Sequence, residues 1–145
     1  MAAQARLQAD DFPPMLKAML ITTDYVLDHY QGVPFARGQN LRLELRRQVM
    51  AALETVDVLI TPTTARAAFE LLDRRARPGE MAARLNDALG AVSNTMQLDQ
   101  SGHPALTVPC GTGAHDLPLG LQIIAPHFAE ALCYQVGFAL EAALG

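Results

Sequence analysis

Residues 104–125 read PALTVPCGTGAHDLPLGLQIIA, two short apolar runs joined by a segment rich in turn-forming residues. Prolines bracket the first run, residues 104–109, and only the polar Gln122 interrupts the second, residues 119–125. The turn-forming residues between the two runs are Gly111, Gly113, Asp116 and Pro118. The pattern predicts two strands that pair as an antiparallel hairpin with a long loop.

Helical periodicity surrounds this hairpin on both sides. From Met15 to Tyr30, apolar residues recur at three- and four-residue spacing, and Gly32 and Pro34 are expected to end that helix. Further amphipathic helices are predicted over about residues 38–55, 80–92 and 128–144. Residues 1–13 are predicted to form an irregular lead-in.

A third strand, expected to be buried, is predicted over residues 56–61, VDVLIT, because the run is short, β-branched and bounded by Pro62. Residues 65–72 suggest a helical turn or two, on the pattern Ala67, Ala68, Leu71 and Leu72. An exposed connector carrying Arg74, Arg75 and Arg77 follows, and residues 94–102 are interpreted as a polar loop. The prediction is one α/β domain over residues 1–145. Three strands that are apolar on both faces are expected to pack against other elements. Those elements are either further strands from outside this chain or the chain's own four or five helices.

The composition excludes several classes of protein. Half of the 145 residues are hydrophobic and 18% are charged, which is typical of a globular domain. A net charge of −4 argues against a nucleic-acid partner. No apolar run approaches the length of a membrane span, and no signal peptide is visible, so no membrane partner is expected. Cys110 and Cys133 have no metal-ligand spacing and are interpreted as small buried hydrophobic residues in a reducing, cytoplasmic setting.

Nucleophiles are scarce. The two serines, Ser93 and Ser101, lie outside any GxSxG motif. Ser101 stands near His103, but sequence neighbours rarely reach the geometry of a nucleophile and its base, so this segment is interpreted as a tight turn. Lys17, the single lysine, falls on the predicted exposed side of the first helix and is interpreted as a solvated charge.

Metal and phosphate sites are not indicated either. The four histidines, His29, His103, His115 and His127, form no HExxH-like pattern. Residues 111–113, GTG, are not followed by the start of a helix, as a phosphate-binding loop would be. The sequence therefore predicts no catalytic, cofactor-binding or metal-binding residue in this chain, and no cofactor.

Three ordered segments carry a family resemblance. Residues 57–64, DVLITPTT, resemble a D-V-L-hydrophobic-x-P-T strand, and residues 101–111, SGHPALTVPCG, resemble a T-G-H-P-A-L-S-V-P-C-G segment. Residues 117–124, LPLGLQII, resemble an L-P-V-G-L-Q-L-I strand, followed by 128–130, FAE, in place of F-D-E. In this order and spacing the segments are similar to the C-terminal region of the amidase-signature hydrolases, which include the amidotransferase A subunits that act on glutamine. Residues 36–41, ARGQNL, resemble the helix that precedes the first of these strands in some of these amidases.

The resemblance implies a fold and a reaction. The fold is part of a mixed β-sheet covered by helices, the C-terminal part of the amidase-signature fold. The reaction is hydrolysis of a carbon–nitrogen bond through a serine acyl-enzyme. The family's catalytic serine, its second serine on a cis peptide, its lysine and its glycine-rich oxyanion hole all lie N-terminal to the matched region. No position of this sequence matches them, which implies a C-terminal fragment or subunit that needs an N-terminal catalytic half or a partner chain.

The sequence departs from the family after Thr64, where relatives often continue with prolines and this chain has residues 65–72, ARAAFELL. An alternative function also stays open. The chain is then a non-catalytic binding or self-assembling module that uses an exposed sheet edge and an apolar patch. This alternative predicts a homo-oligomer.

Overall fold

The computed structural model describes residues 11–70 and 78–144. The chain divides into two compact units, Met1–Leu41 and Arg42–Gly145. The single domain expected over residues 1–145 stays a prediction. The predicted lead-in falls mostly on residues 1–10, which lie outside the described residues, as do Leu71, Leu72 and the arginines of the predicted connector.

The first helix, α1, spans Pro14–Tyr30 and confirms the predicted helix. Pro14 occupies its first turn, where a missing N–H breaks no hydrogen bond. The helix ends at Gln31, which adopts a left-handed conformation and donates its N–H to the Leu27 carbonyl at 3.1 Å.

The second helix, α2, spans Val33–Leu53 and begins well before the predicted start near residue 38. The prediction was wrong because Pro34 was interpreted as a terminator. In the structure Pro34 lies in the first turn of α2, where proline is tolerated for the same reason as in α1. Gly32, at φ +79°, makes the break between the two helices.

A three-stranded antiparallel sheet forms the centre of the second unit, in the order β1-β3-β2. The strands are β1 (Leu59–Pro62), β2 (Ala105–Thr112) and β3 (Pro118–Ile124), and a short 3-10 turn, Ala114–Asp116, joins β2 to β3. The predicted β2–β3 hairpin is confirmed, with Leu106 opposite Ile123 and Thr107 opposite Gln122. Helices around this small sheet confirm the α/β class.

Helix α5, Glu130–Leu144, covers one face of the sheet. The core there consists of Val108, Ile123, Ala125 and Cys133, with partly buried Leu106, Leu121, Leu132, Val136 and Leu140 around it. Strand β1 was predicted to be buried, and this was wrong: among the described strands it pairs only with β3, as an edge strand, and Ile60 is 51% exposed.

Two helices precede β2. Helix α3 spans Pro78–Ala91 and confirms the helix predicted over 80–92. Helix α4 spans Ser93–Ser101, where a polar loop was predicted, so that interpretation was wrong. The helix forms because one side of it, Leu98 and Ser101, is buried. Gly102, at φ +77°, caps it by donating its N–H to the Leu98 carbonyl at 2.7 Å.

The segment after β1 is not helical as far as it is described. Residues 63–66 form bends and residues 67–70 have no regular structure, so the helical turn predicted at Ala67 and Ala68 was wrong. Thr64 Oγ1 donates instead to the Arg66 carbonyl at 2.8 Å, a side-chain bond that competes with helical pairing.

Candidate functional site

A groove with a volume of about 510 Å³ opens beside the sheet. Its floor comes from strands β2 and β3 and from Thr63, the residue that follows β1, and its walls come from Thr64, residues 66–69 and Ala91 at the end of α3. Most of the lining is apolar, and the lining side chains are Thr63, Thr64, Arg66, Ala67, Ala68, Phe69, Ala91, Thr107, Pro109, Pro118 and Leu119.

The floor of the groove is a pair of hydroxyl groups that meet across the central strand at Gly120. Thr63 Oγ1 donates to Thr107 Oγ1 at 3.1 Å, and the Thr63 N–H donates to the Gly120 carbonyl at 2.9 Å. A Cβ on Gly120 would lie 3.0 Å from both Thr107 Cγ2 and Thr63 Oγ1. The bare backbone at Gly120 is therefore what lets the two hydroxyls approach each other. Sequence reasoning missed this role, although a glycine inside an apolar strand often marks such a close approach.

One ion pair lies at the rim of the groove. Arg66 Nη1 donates to Asp87 Oδ1 at 2.9 Å, and the two side chains are 64% and 33% exposed. Arg66 is the charged residue among the described side chains that line the groove. The guanidinium group thus reaches the groove with its charge already matched by a carboxylate.

The side chains of Ser101 and His103 contact each other in the structure. Ser101 Oγ lies 2.9 Å from His103 Nδ1, so the two side chains are within hydrogen-bonding distance. Ser101 Oγ also lies 3.4 Å from the Leu98 carbonyl oxygen, so the hydroxyl has a second hydrogen-bond partner within its own helix. A nucleophile needs access to a substrate. Ser101 is 2% exposed and His103 6% exposed.

His103 also stacks on His127, with ring centroids 4.0 Å apart. The Nε2 atoms of both rings are buried and have no hydrogen-bond partner among the described residues. A second cavity of about 340 Å³ borders the two rings, with Leu53 and Glu54 in its wall. Burial lowers the pKa of His103, and the neighbouring His127 and Arg46 lower it further, so the ring is neutral at pH 7.

The lowered pKa of His103 gives an expected pH dependence of stability. In the unfolded chain this imidazole takes up a proton near its ordinary pKa of 6.5, whereas the folded chain resists protonation. The unfolded state therefore binds more protons below pH 6.5, and the free energy of unfolding falls until the pH drops below the folded-state pKa.

Urea unfolding at pH 7.5 and pH 5.5 measures this effect. The loss of stability between the two pH values should be smaller in a His103→Gln variant. A His115→Asn variant is the matched control, because His115 lies on the exposed 3-10 turn at φ +60°, where asparagine is tolerated. An equal loss in the unaltered chain and in His103→Gln would rule out His103 as the group responsible.

The remaining candidate residues are scattered. Ser93 is exposed at the start of α4, and Lys17 is half-buried on α1. His29 Nδ1 lies 3.0 Å from the Tyr25 carbonyl. Cys133 is 3% exposed, and burial raises the pKa of its thiol, whereas Cys110 is only half-buried. Over residues 11–70 and 78–144, no cluster of three or more His, Cys, Asp or Glu side chains has the spacing to hold a metal ion.

Comparison with known proteins gives consistent matches. A family model described as Amidase matches residues 2–134. The A subunit of the glutamyl-tRNA(Gln) amidotransferase of Thermobifida fusca is 37% identical over 97% of this chain, and that of Mycobacteroides abscessus is 36% identical over 97%. The chain spans 27% and 28% of the length of these two proteins.

Two solved structures are similar as well. The crystal structure of the corresponding A subunit from Thermotoga maritima covers 92% of this chain with a TM-score of 0.62 and 23% identity, a likeness of fold. A 6-aminohexanoate cyclic dimer hydrolase covers 68% of this chain with a TM-score of 0.56 and 31% identity. The chain corresponds to 28% and 22% of these two proteins. None of the helices in the described ranges combines the length and the apolar character that a membrane crossing requires.

Proposed function

The chain belongs to the amidase family, and from this membership we propose that it forms one wall of the substrate pocket of an amide hydrolase. The catalytic residues come from polypeptide outside this chain, either an N-terminal half or a partner chain. The reaction of the whole enzyme is transfer of an acyl group from an amide to water through a serine acyl-enzyme.

The observation that carries this proposal is that three separate segments of the sequence supply the floor of the groove. Thr63 comes from the segment 57–64, Thr107 from 101–111 and Gly120 from 117–124. These are the three separate segments that resemble the amidase-signature hydrolases. Residues that are far apart in sequence thus meet at one surface, and that surface has a size and an apolar lining typical of small-molecule sites.

The two serines support the proposal that the catalytic residues come from polypeptide outside this chain. Ser101 is buried, so a substrate cannot reach its hydroxyl, and Ser93 is an exposed residue at a helix start. Neither serine lines the groove. The two free cysteines agree with a reducing, cytoplasmic setting for the enzyme, which is part of the proposal.

An activity assay tests the proposal. The purified chain is incubated with acetamide, benzamide and glutamine, and ammonia release is followed beside Ser101→Ala and Ser93→Ala variants. No serine-dependent turnover is expected. Turnover that either substitution abolishes would contradict the proposal.

A self-assembling module is the second candidate function. Strands β1 and β2 each pair only with β3 among the described strands, so each presents an outer edge on which another strand can pair. This candidate requires a stable dimer or larger oligomer of the chain. Light scattering that gives the mass of a monomer would exclude it.

A further inference from the structure

We propose that the groove binds the uncharged, apolar portion of an amide substrate, and that the Arg66–Asp87 pair selects against substrates that carry a charge there. This inference rests on the proposed function, because it assigns the groove to the substrate. The occupant is a small amide whose chain beyond the amide carries no charge.

The walls of the groove favour an apolar ligand. Phe69 and Leu119 line it and are 40% and 39% exposed, so each has apolar surface that a bound ligand would remove from water. Ala67 and Ala68 leave space between these larger side chains. At about 510 Å³, the groove has room for a small molecule rather than for a single water or ion.

The floor offers neutral polar groups. One hydroxyl of the Thr63–Thr107 pair gives its proton to the other, so the second hydroxyl keeps its own proton for another acceptor. A hydroxyl in this position can donate to the carbonyl oxygen of an amide without bringing a charge into the groove. The floor therefore suits the amide end of the ligand and the walls suit its aliphatic or aromatic part.

The rim explains the selection against charge. A ligand carboxylate would have to compete with Asp87 for Arg66, and a ligand ammonium would meet the guanidinium of Arg66. A charged group placed against the apolar walls loses hydration without gaining a partner. Because Arg66 and Asp87 pair at 2.9 Å, the rim presents no net charge, and a charged ligand gains a partner only by competing with this pair.

Three amides with the same five-carbon chain test the selection. Pentanamide is uncharged, glutaramate carries a terminal carboxylate, and 5-aminopentanamide carries a terminal ammonium group. Each is titrated into the ¹⁵N-labelled full chain while backbone amide shifts are recorded. Pentanamide is expected to bind with a dissociation constant at least about tenfold below that of either charged amide, with shifts at the groove residues.

Two pairs of variants locate the site and its selectivity. Ala68→Leu adds carbon inside the groove and should weaken pentanamide binding, whereas Ala114→Leu, on the exposed turn outside the lining, should not. Asp87→Asn leaves Arg66 unpaired and should tighten glutaramate binding by about fivefold to tenfold. Arg66→Gln leaves Asp87 unpaired and should do the same for 5-aminopentanamide.

The outcomes separate this inference from the proposed function. If a charged amide binds the groove of the unaltered chain as tightly as pentanamide, the selection is refuted while an amide-binding groove stands. The selection is also refuted if the Asp87 and Arg66 variants leave all three affinities unchanged. If none of the amides binds at the groove, or if Ala68→Leu has no effect, both the inference and the pocket wall are refuted.

Discussion

Ile123→Ala is expected to lower the free energy of unfolding of the second unit by about 3 to 4 kcal/mol. Ile123 is the largest completely buried side chain among the described residues and is 0% exposed. It lies on the central strand, under α5 and between Leu106 and the helix residue Cys133. Removing three carbons there loses their transfer free energy and leaves a cavity that a three-stranded sheet cannot close.

Ile60→Ala provides the matched control for this substitution. Ile60 is the residue directly opposite Ile123 on β1, but it is 51% exposed, so the same truncation should cost less than about 1 kcal/mol. Urea unfolding followed by circular dichroism measures both values. Equal losses in the two variants would mean that the core does not lie between the sheet and α5.

Gly137→Leu is expected to destabilise the second unit by about 2 to 3 kcal/mol. Gly137 is buried on α5 where the helix crosses β2, and a Cβ there would lie 2.7 Å from Leu106 Cδ2 and 3.5 Å from Val108 Cγ1. The substitution gains up to about 1 kcal/mol of helix propensity. Overpacking exceeds this gain, because the new side chain overlaps Leu106 Cδ2 and has to displace Leu106 from between α5 and β2.

Gly90→Leu makes the same change in α3, where no contacting atom of the described residues lies within 4 Å of a Cβ. There the gain in helix propensity is unopposed, and the variant should be as stable as the unaltered chain or slightly more so. Thermal and urea unfolding of the two variants compare the sites directly. A Gly137→Leu chain as stable as the Gly90→Leu chain would show that α5 does not pack closely on β2.

The sequence predicts the parts of this fold whose signals are local. The β2–β3 hairpin has alternating strand ends, prolines and glycines in one continuous stretch, and helices α1, α3 and α5 each have a complete apolar stripe. One prediction failed because a single residue type is compatible with two different structures. Pro34 stops a helix or starts one, and only the turn at Gly32 decides between them.

Tertiary packing overrode local polarity in α4. The segment 94–102 is polar enough for a loop, yet burial of Leu98 and Ser101 and the cap at Gly102 hold it as a helix. Burial of β1 was overestimated for the opposite reason. An apolar run indicates a strand, but the run does not show whether a second strand pairs on its outer side.

The candidate site was beyond sequence reasoning, although its three segments were recognised as similar to one family. Thr63 and Thr107 are separated by 44 residues, and Arg66 and Asp87 by 21. No spacing rule connects such pairs, because their contact depends on the register of β1 and β2 against β3. Ser101 and His103 show the converse: the pair is visible in the sequence, but its burial is not.

We propose above all that this chain supplies a pocket wall of an amidase and not its nucleophile. The most direct test is the rate of ammonia release from benzamide by the purified, unaltered chain, compared with buffer alone and with the Ser101→Ala chain. We predict the same background rate in all three samples. A rate above background that falls to it in Ser101→Ala would place the nucleophile inside this chain and contradict the proposal.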